Sequence, residues 1–165
     1  MAGFLRNEGY KAFNLLSQRY NCRTNDPVAR SSEDRRLEIS RRRNRLEQEM
    51  RASLFSAARS MSEELLHETL RECMTNVNYS RVELLNSRRI FSRGGSPLYF
   101  IDLIKVLESG KLLLLPKGRR EAVLNALFAI NDARADAHAK SISEDSFRAI
   151  SEQFDIAEDE FLPPE

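Results

Sequence analysis

The chain has 165 residues, 41% of them hydrophobic and 31% charged, which is enough apolar material for one cored domain with an extension. A formal net charge of +1 selects no partner by overall balance, and Cys22 and Cys73 stand alone, so no CxxC pair or four-ligand zinc set forms with only two histidines. The apolar run ending at Pro116 is far short of the roughly 20 residues a membrane-spanning helix needs, and Met1–Glu8 does not read as a secretory leader.

Phe4, Leu5, Tyr10, Phe13, Leu15, Leu16 and Tyr20 recur near helical spacing and predict a helix over 4–20. Asp26-Pro27 interrupts the pattern, because the residue before proline is driven out of the helical region. Ser31-Ser-Glu-Asp then starts a long helix over about 33–59, with a hydroxyl cap and acids in the first turn. Leu46, Met50, Leu54 and Ala58 form an i+4 row on it. Its first half holds only Leu37 and Ile39 as apolar residues between 33 and 45, so that half is expected to project into solvent or lean on a partner.

Ser62 opens the next helix, expected over 62–75 with Leu65, Leu66, Leu70 and Met74 on one side. Ser80 reads as the cap of a helix over 81–92. Arg93-Gly-Gly-Ser-Pro stops it, with Ser96 as the following cap and Pro97 in the first helical position of a helix reaching Glu108. Leu112–Pro116 has no strand partner elsewhere and is expected as a buried loop or helical turn. A strongly apolar helix follows over 118–136, carrying Val123, Leu124, Leu127, Phe128 and Ile130. Ser143 starts the closing helix with Phe147, Ile150 and Phe154, and from Asp155 the acidic chain is expected to fray. The expected fold is all-α: an up-and-down helical bundle over 61–155, an N-terminal helical arm over 1–60 and an acidic tail over 156–165.

Charge is unevenly distributed. Arg30–Arg51 holds eight arginines against five acids, and Ser151–Glu165 holds six acids and no base. This asymmetry marks either a nucleic-acid surface or two faces that pair with each other. Arg41, Arg42, Arg43 and Arg45 are the candidate phosphate contacts, although no aromatic residue stands among them in sequence for base stacking. Arg88, Arg89 and Arg93 beside Gly94-Gly95 lack the lysine-serine ending of a nucleotide loop and read as helix punctuation. His67 has Arg71 where a zinc protease would have its second histidine, and reads as a helix-edge residue.

The second half of the 118–136 helix turns polar and leads to Arg134 and His138, four apart and so on one face. Near neutral pH the imidazole transfers protons, and a guanidinium binds a phosphate and offsets its growing charge. Asn131 and Asp132, a turn earlier, stand where they would orient the pair. An apolar helix ending in an arginine–histidine pair, followed by a capped closing helix, resembles the end of a HEPN domain, here with Ala135, Asp136 and Ala137 between the two residues. The resemblance implies a helical bundle with metal-independent RNA cleavage or RNA binding, a site doubled across a two-fold homodimer, and service in prokaryotic phage defence or a toxin–antitoxin pair. The alternative is a non-catalytic helical module that oligomerises or binds a helical protein partner. Either way the expectation is a cytoplasmic protein without cofactor, metal or membrane contact.

Overall fold

The computed structural model describes residues 31–92, 96–137 and 141–162. The helix expected over 4–20, the Gly94-Gly95 turn and His138 lie outside the described residues. Every regular element among the described residues is a helix.

The first of these, α1, spans Ser32–Ala58, with Glu33 and Asp34 placed where the helix dipole favours acids. Its inward row is Ile39, Arg43, Leu46, Met50, Leu54 and Ala58, at spacings of three and four. The apolar half enters the core as its periodicity predicts. The polar half does not project: it lies on α7 (Glu144–Phe161) of its own chain. The Ser32 hydroxyl accepts the Ile142 amide at 2.9 Å. Arg35 donates to the Ile142 carbonyl and to Glu144, both at 2.8 Å. Arg42 donates to Glu158 at 2.6 Å and to Asp155 at 2.5 Å. The arginine-rich stretch and the acidic stretch thus pair in part with each other. The acids that suggested fraying belong to a helix that continues to Phe161, because Ala157 and Phe161 extend the buried stripe of Ile150 and Phe154.

Helix α2 (Glu63–Cys73) starts where Ser62 accepts the Leu65 amide, and it buries Leu66, Thr69 and Leu70. The helix expected over 81–92 is replaced by two single turns, α3 (Asn76–Tyr79) and α4 (Ser87–Ile90), joined by turns. Side chains compete with the backbone there. Thr75 caps α3, and Asn86 caps α4 by accepting the Arg89 amide at 3.0 Å. In a continuous helix that amide would bond the Leu85 carbonyl; here the carbonyl faces His67 Nε2 at 2.9 Å.

Helix α5 (Phe100–Ser109) begins later than Pro97 suggests. Tyr99 is its N-cap, and the Asp102 carboxylate reaches back to the Tyr99 amide at 2.8 Å, one half of a capping box. Ser96, expected as the cap, instead donates to the Ile90 carbonyl and accepts from Arg51, each at 2.6 Å. Gly110 closes α5 at φ 66°, a left-handed conformation that suits a residue without Cβ. Leu112–Pro116 is irregular, with Leu112 and Leu115 buried and Leu114 turned outward.

Helix α6 (Arg120–Ala137) buries Val123, Leu124, Ala126, Leu127 and Ile130, largely against α5 and α7. Arg119, just before α6, faces Asp159 and Glu160 at 3.6 and 3.7 Å, so α6 and α7 form an antiparallel hairpin. The Arg35 and Arg42 contacts run α1 parallel to α7. No helix among the described residues is long and apolar enough to cross a membrane.

Candidate functional site

The arginine cluster of α1 divides by helical phase. Arg43 points inward: it is 8% exposed, and its guanidinium lies 4.7 Å from the centre of the Phe100 ring. Arg42, half-buried, covers the Phe154 ring at 4.9 Å while binding Glu158 and Asp155. Burial works to lower its pKa, but the hydrogen bonds to Glu158 and Asp155 outweigh it, and the net direction is upward. Arg42 therefore stays charged and neutralised within the fold. Arg41 and Arg45 remain on the outer face, four apart and exposed, and neither forms an ion pair with another described residue. An open cleft of about 370 Å³ is lined by Glu38, Arg41, Arg42, Arg45 and Glu158. Of the four arginines read as phosphate contacts, the fold brings three to one cleft and assigns the fourth to the core.

On α6, Asn131 is half-buried and Asp132 exposed, and the Asn131 amide stands 3.4 Å from the Asp132 carboxylate. Arg134 belongs to the last turn of α6, but its side chain, like His138, is outside the described residues. That end of α6 leads into Ile142 and Ser143, where Ser32 and Arg35 hold the start of α1. No group of three His, Cys, Asp or Glu residues with metal-binding geometry occurs among the described residues.

Two further clusters escape a reading of the sequence. His67 Nδ1 lies 3.3 Å from the Tyr79 hydroxyl, which accepts from Arg71 at 3.2 Å. With Nε2 donating to the Leu85 carbonyl, the hydroxyl donates to Nδ1, and the three side chains tie α2 to the turns that follow it. The helix-edge histidine is thus a strut. The second cluster centres on Asp102, 2% exposed, which accepts from Asn78 at 2.8 Å, Arg81 at 3.0 Å and the Tyr99 amide. Its sequence signal was present: an acid three residues after Tyr99 is the N3 position of a helix start.

No known family model matches this chain, and neither the curated proteins nor the solved structures give a significant match.

Proposed function

We propose that this chain is a HEPN-like up-and-down bundle with an N-terminal helical arm that binds RNA, with Arg41 and Arg45 on backbone phosphates and Arg134 with His138 as a metal-independent cleaving pair. The observation that supports it is the exposed Arg41–Arg45 pair, which forms no ion pair with the described residues, in a fold that engages the neighbouring Arg42 and Arg43 internally. Two cations one turn apart, facing solvent beside a cleft, suit a chain of phosphates, and releasing the counterions of those phosphates drives binding.

In this reading His138 takes the proton of a ribose 2′-hydroxyl, whose oxygen attacks the adjacent phosphorus. The bond from phosphorus to the 5′-oxygen breaks, and that oxygen receives a proton from an imidazolium, the second copy of His138 in a two-fold homodimer. Arg134 stabilises the charge that grows on the phosphoryl oxygens. The products are a 2′,3′-cyclic phosphate and a 5′-hydroxyl, so neither water nor metal is consumed. A bundle with this activity fits a prokaryotic defence or toxin–antitoxin role.

A second reading rests on Leu84, 95% exposed, and Leu114, 80% exposed: a helical module that assembles through apolar side chains left outside its core. Cleavage of a mixed RNA pool in EDTA, by the wild type and by His138→Ala, separates the readings. Cyclic-phosphate ends that disappear in the variant support the cleaving pair. RNA binding without cleavage keeps only the Arg41–Arg45 surface. No RNA binding at low salt rejects the RNA reading and leaves the module.

A further inference from the structure

We propose that Tyr99 is a nucleobase-stacking platform for single-stranded RNA, held in place by Arg81; this rests on the RNA-binding reading above and adds the base contact that reading lacks. The arginine run of α1 has no aromatic neighbour in sequence, but the fold sets Phe154 and Phe100 against it and pairs other cations with rings elsewhere. In most of these pairs the cation covers a ring that belongs to the core: Arg42 over Phe154, Arg43 over Phe100 and Arg71 over Tyr79 all meet buried rings. Lys105 similarly approaches the partly buried Phe128.

Tyr99 reverses that arrangement. The residue is 63% exposed, whereas the side chain of Arg81, whose guanidinium carbon lies 4.3 Å from the ring centre, is 25% exposed. Arg81 spends its donors inward, at 3.1 Å on the Pro97 carbonyl and 3.0 Å on the buried Asp102. Asp102 also holds the backbone amide of Tyr99 itself. One buried carboxylate thus fixes both the ring's backbone and the guanidinium beneath it. The result is a large apolar surface that is oriented, backed by a cation and open to solvent.

A rigid aromatic face suits a base because every base has a π-face, and a guanidinium on the opposite side leaves the stack next to positive charge that a phosphate chain tolerates. The location fits as well. Phe100, the next residue, lies against Arg43, and Arg51 of α1 donates to the Leu98 carbonyl at 2.6 Å. Tyr99 therefore adjoins α1 on the side of Arg43 and Arg51, while Arg41 and Arg45 lie on the outer face of the same helix. In the proposed complex a strand crosses α1 from the Arg41–Arg45 face and lays a base on Tyr99.

The chain contains no tryptophan, so Tyr99→Trp installs a single reporter on the platform. The full-length variant is titrated with a mixed-sequence single-stranded RNA and with an abasic oligomer of equal length, alongside Tyr99→Ala and Tyr99→Phe binding measurements. The expected result is quenching of the tryptophan by RNA and not by the abasic chain. Tyr99→Ala should lose about tenfold in RNA affinity, and Tyr99→Phe should retain it. Arg81→Lys should reduce the quench at saturation while leaving the salt dependence of binding unchanged, since it loosens the ring without removing charge.

If the wild type binds RNA and Tyr99→Ala binds equally well, the platform is overturned while the Arg41–Arg45 surface stands. If Arg41→Glu/Arg45→Glu also leaves binding and its salt dependence unchanged, the phosphate surface falls too. If nothing binds RNA, both readings fall. If the tryptophan signal instead changes with protein concentration in the absence of RNA, Tyr99 is a contact between copies and the stacking proposal is rejected.

Discussion

Residues 46–58 of α1 enter the core through Leu46, Met50 and Leu54, whereas residues 32–45, which bury only Ile39 and Arg43, meet the rest of the molecule mainly through the hydrogen bonds of Ser32, Arg35 and Arg42. Both halves are packed on their own chain, yet the forces differ. The apolar half gains from water exclusion, which is non-directional and scales with area. The polar half exchanges hydration for directed hydrogen bonds, so its net contribution is smaller and depends on each partner's position. A helix can therefore be anchored along its whole length while only half of that anchoring shows as hydrophobic periodicity.

The sharpest way to break this contrast is Leu46→Ala, at a position with no solvent exposure. It should cost about 2–5 kcal/mol, from lost transfer energy plus the cavity left behind. Urea unfolding measures it, and a loss under about 1 kcal/mol would mean that the site collapses around the deletion. Asp102→Ala comes next, at about 2–4 kcal/mol, because it strands the donors of Asn78, Arg81 and Tyr99 around one buried position.

Arg42→Ala tests the seam directly and should cost about 1–2 kcal/mol, with the exposed Asp155 contact discounted for solvent screening. A double-mutant cycle with Glu158→Ala isolates the pair, and adding salt should shrink its coupling. A loss as large as that of Leu46→Ala would erase the distinction between the two halves. Because the Arg42 pKa is raised in the fold, its contribution persists through neutral pH and fades only as pH climbs through that raised value.

The smallest expected effect belongs to Glu64, in the first turn of α2. A hydrogen bond at its own backbone amide, aided by the Ser62 hydroxyl, holds its carboxyl below the usual range. A lowered pKa stabilises the fold above the unfolded-state value and is lost as pH falls through the folded one. Glu64→Gln should therefore lower the urea midpoint slightly at neutral pH, leave it unchanged at acid pH where the carboxyl is protonated in both states, and so flatten the profile between them.

How much of this was legible follows from the same contrast. The i+4 row of α1, the Ser62 and Ser143 starts and the buried face of α6 are local patterns, and the structure has them. The misread segment is 81–92, where the Ser87 hydroxyl and amide meet Glu63, the Leu85 carbonyl meets His67, Arg81 meets Asp102, and Asn86 caps a new turn in place of a continuous helix. At the candidate site, sequence marked the arginine run but not which members were available. Arg43 looks like its neighbours in the string, and only its phase against Phe100 removes it from the surface. Tyr99 was equally hidden, since its support comes from Arg81, distant along the chain, through a shared carboxylate.

By itself the sequence determined that the described residues are helical, where most of their helices begin, and most of the apolar residues that face inward, Leu65 and Leu84 being exposed exceptions, because capping and amphipathic spacing act over one or two turns. Only the tertiary structure decided that α1 lies along α7, that Arg42 and Arg43 are engaged while Arg41 and Arg45 face solvent, and that Tyr99 stands outward on Arg81. The physical reason is separation. Arg42 and Glu158 are 116 residues apart, and a polar pair joined over that distance leaves no periodicity in either segment.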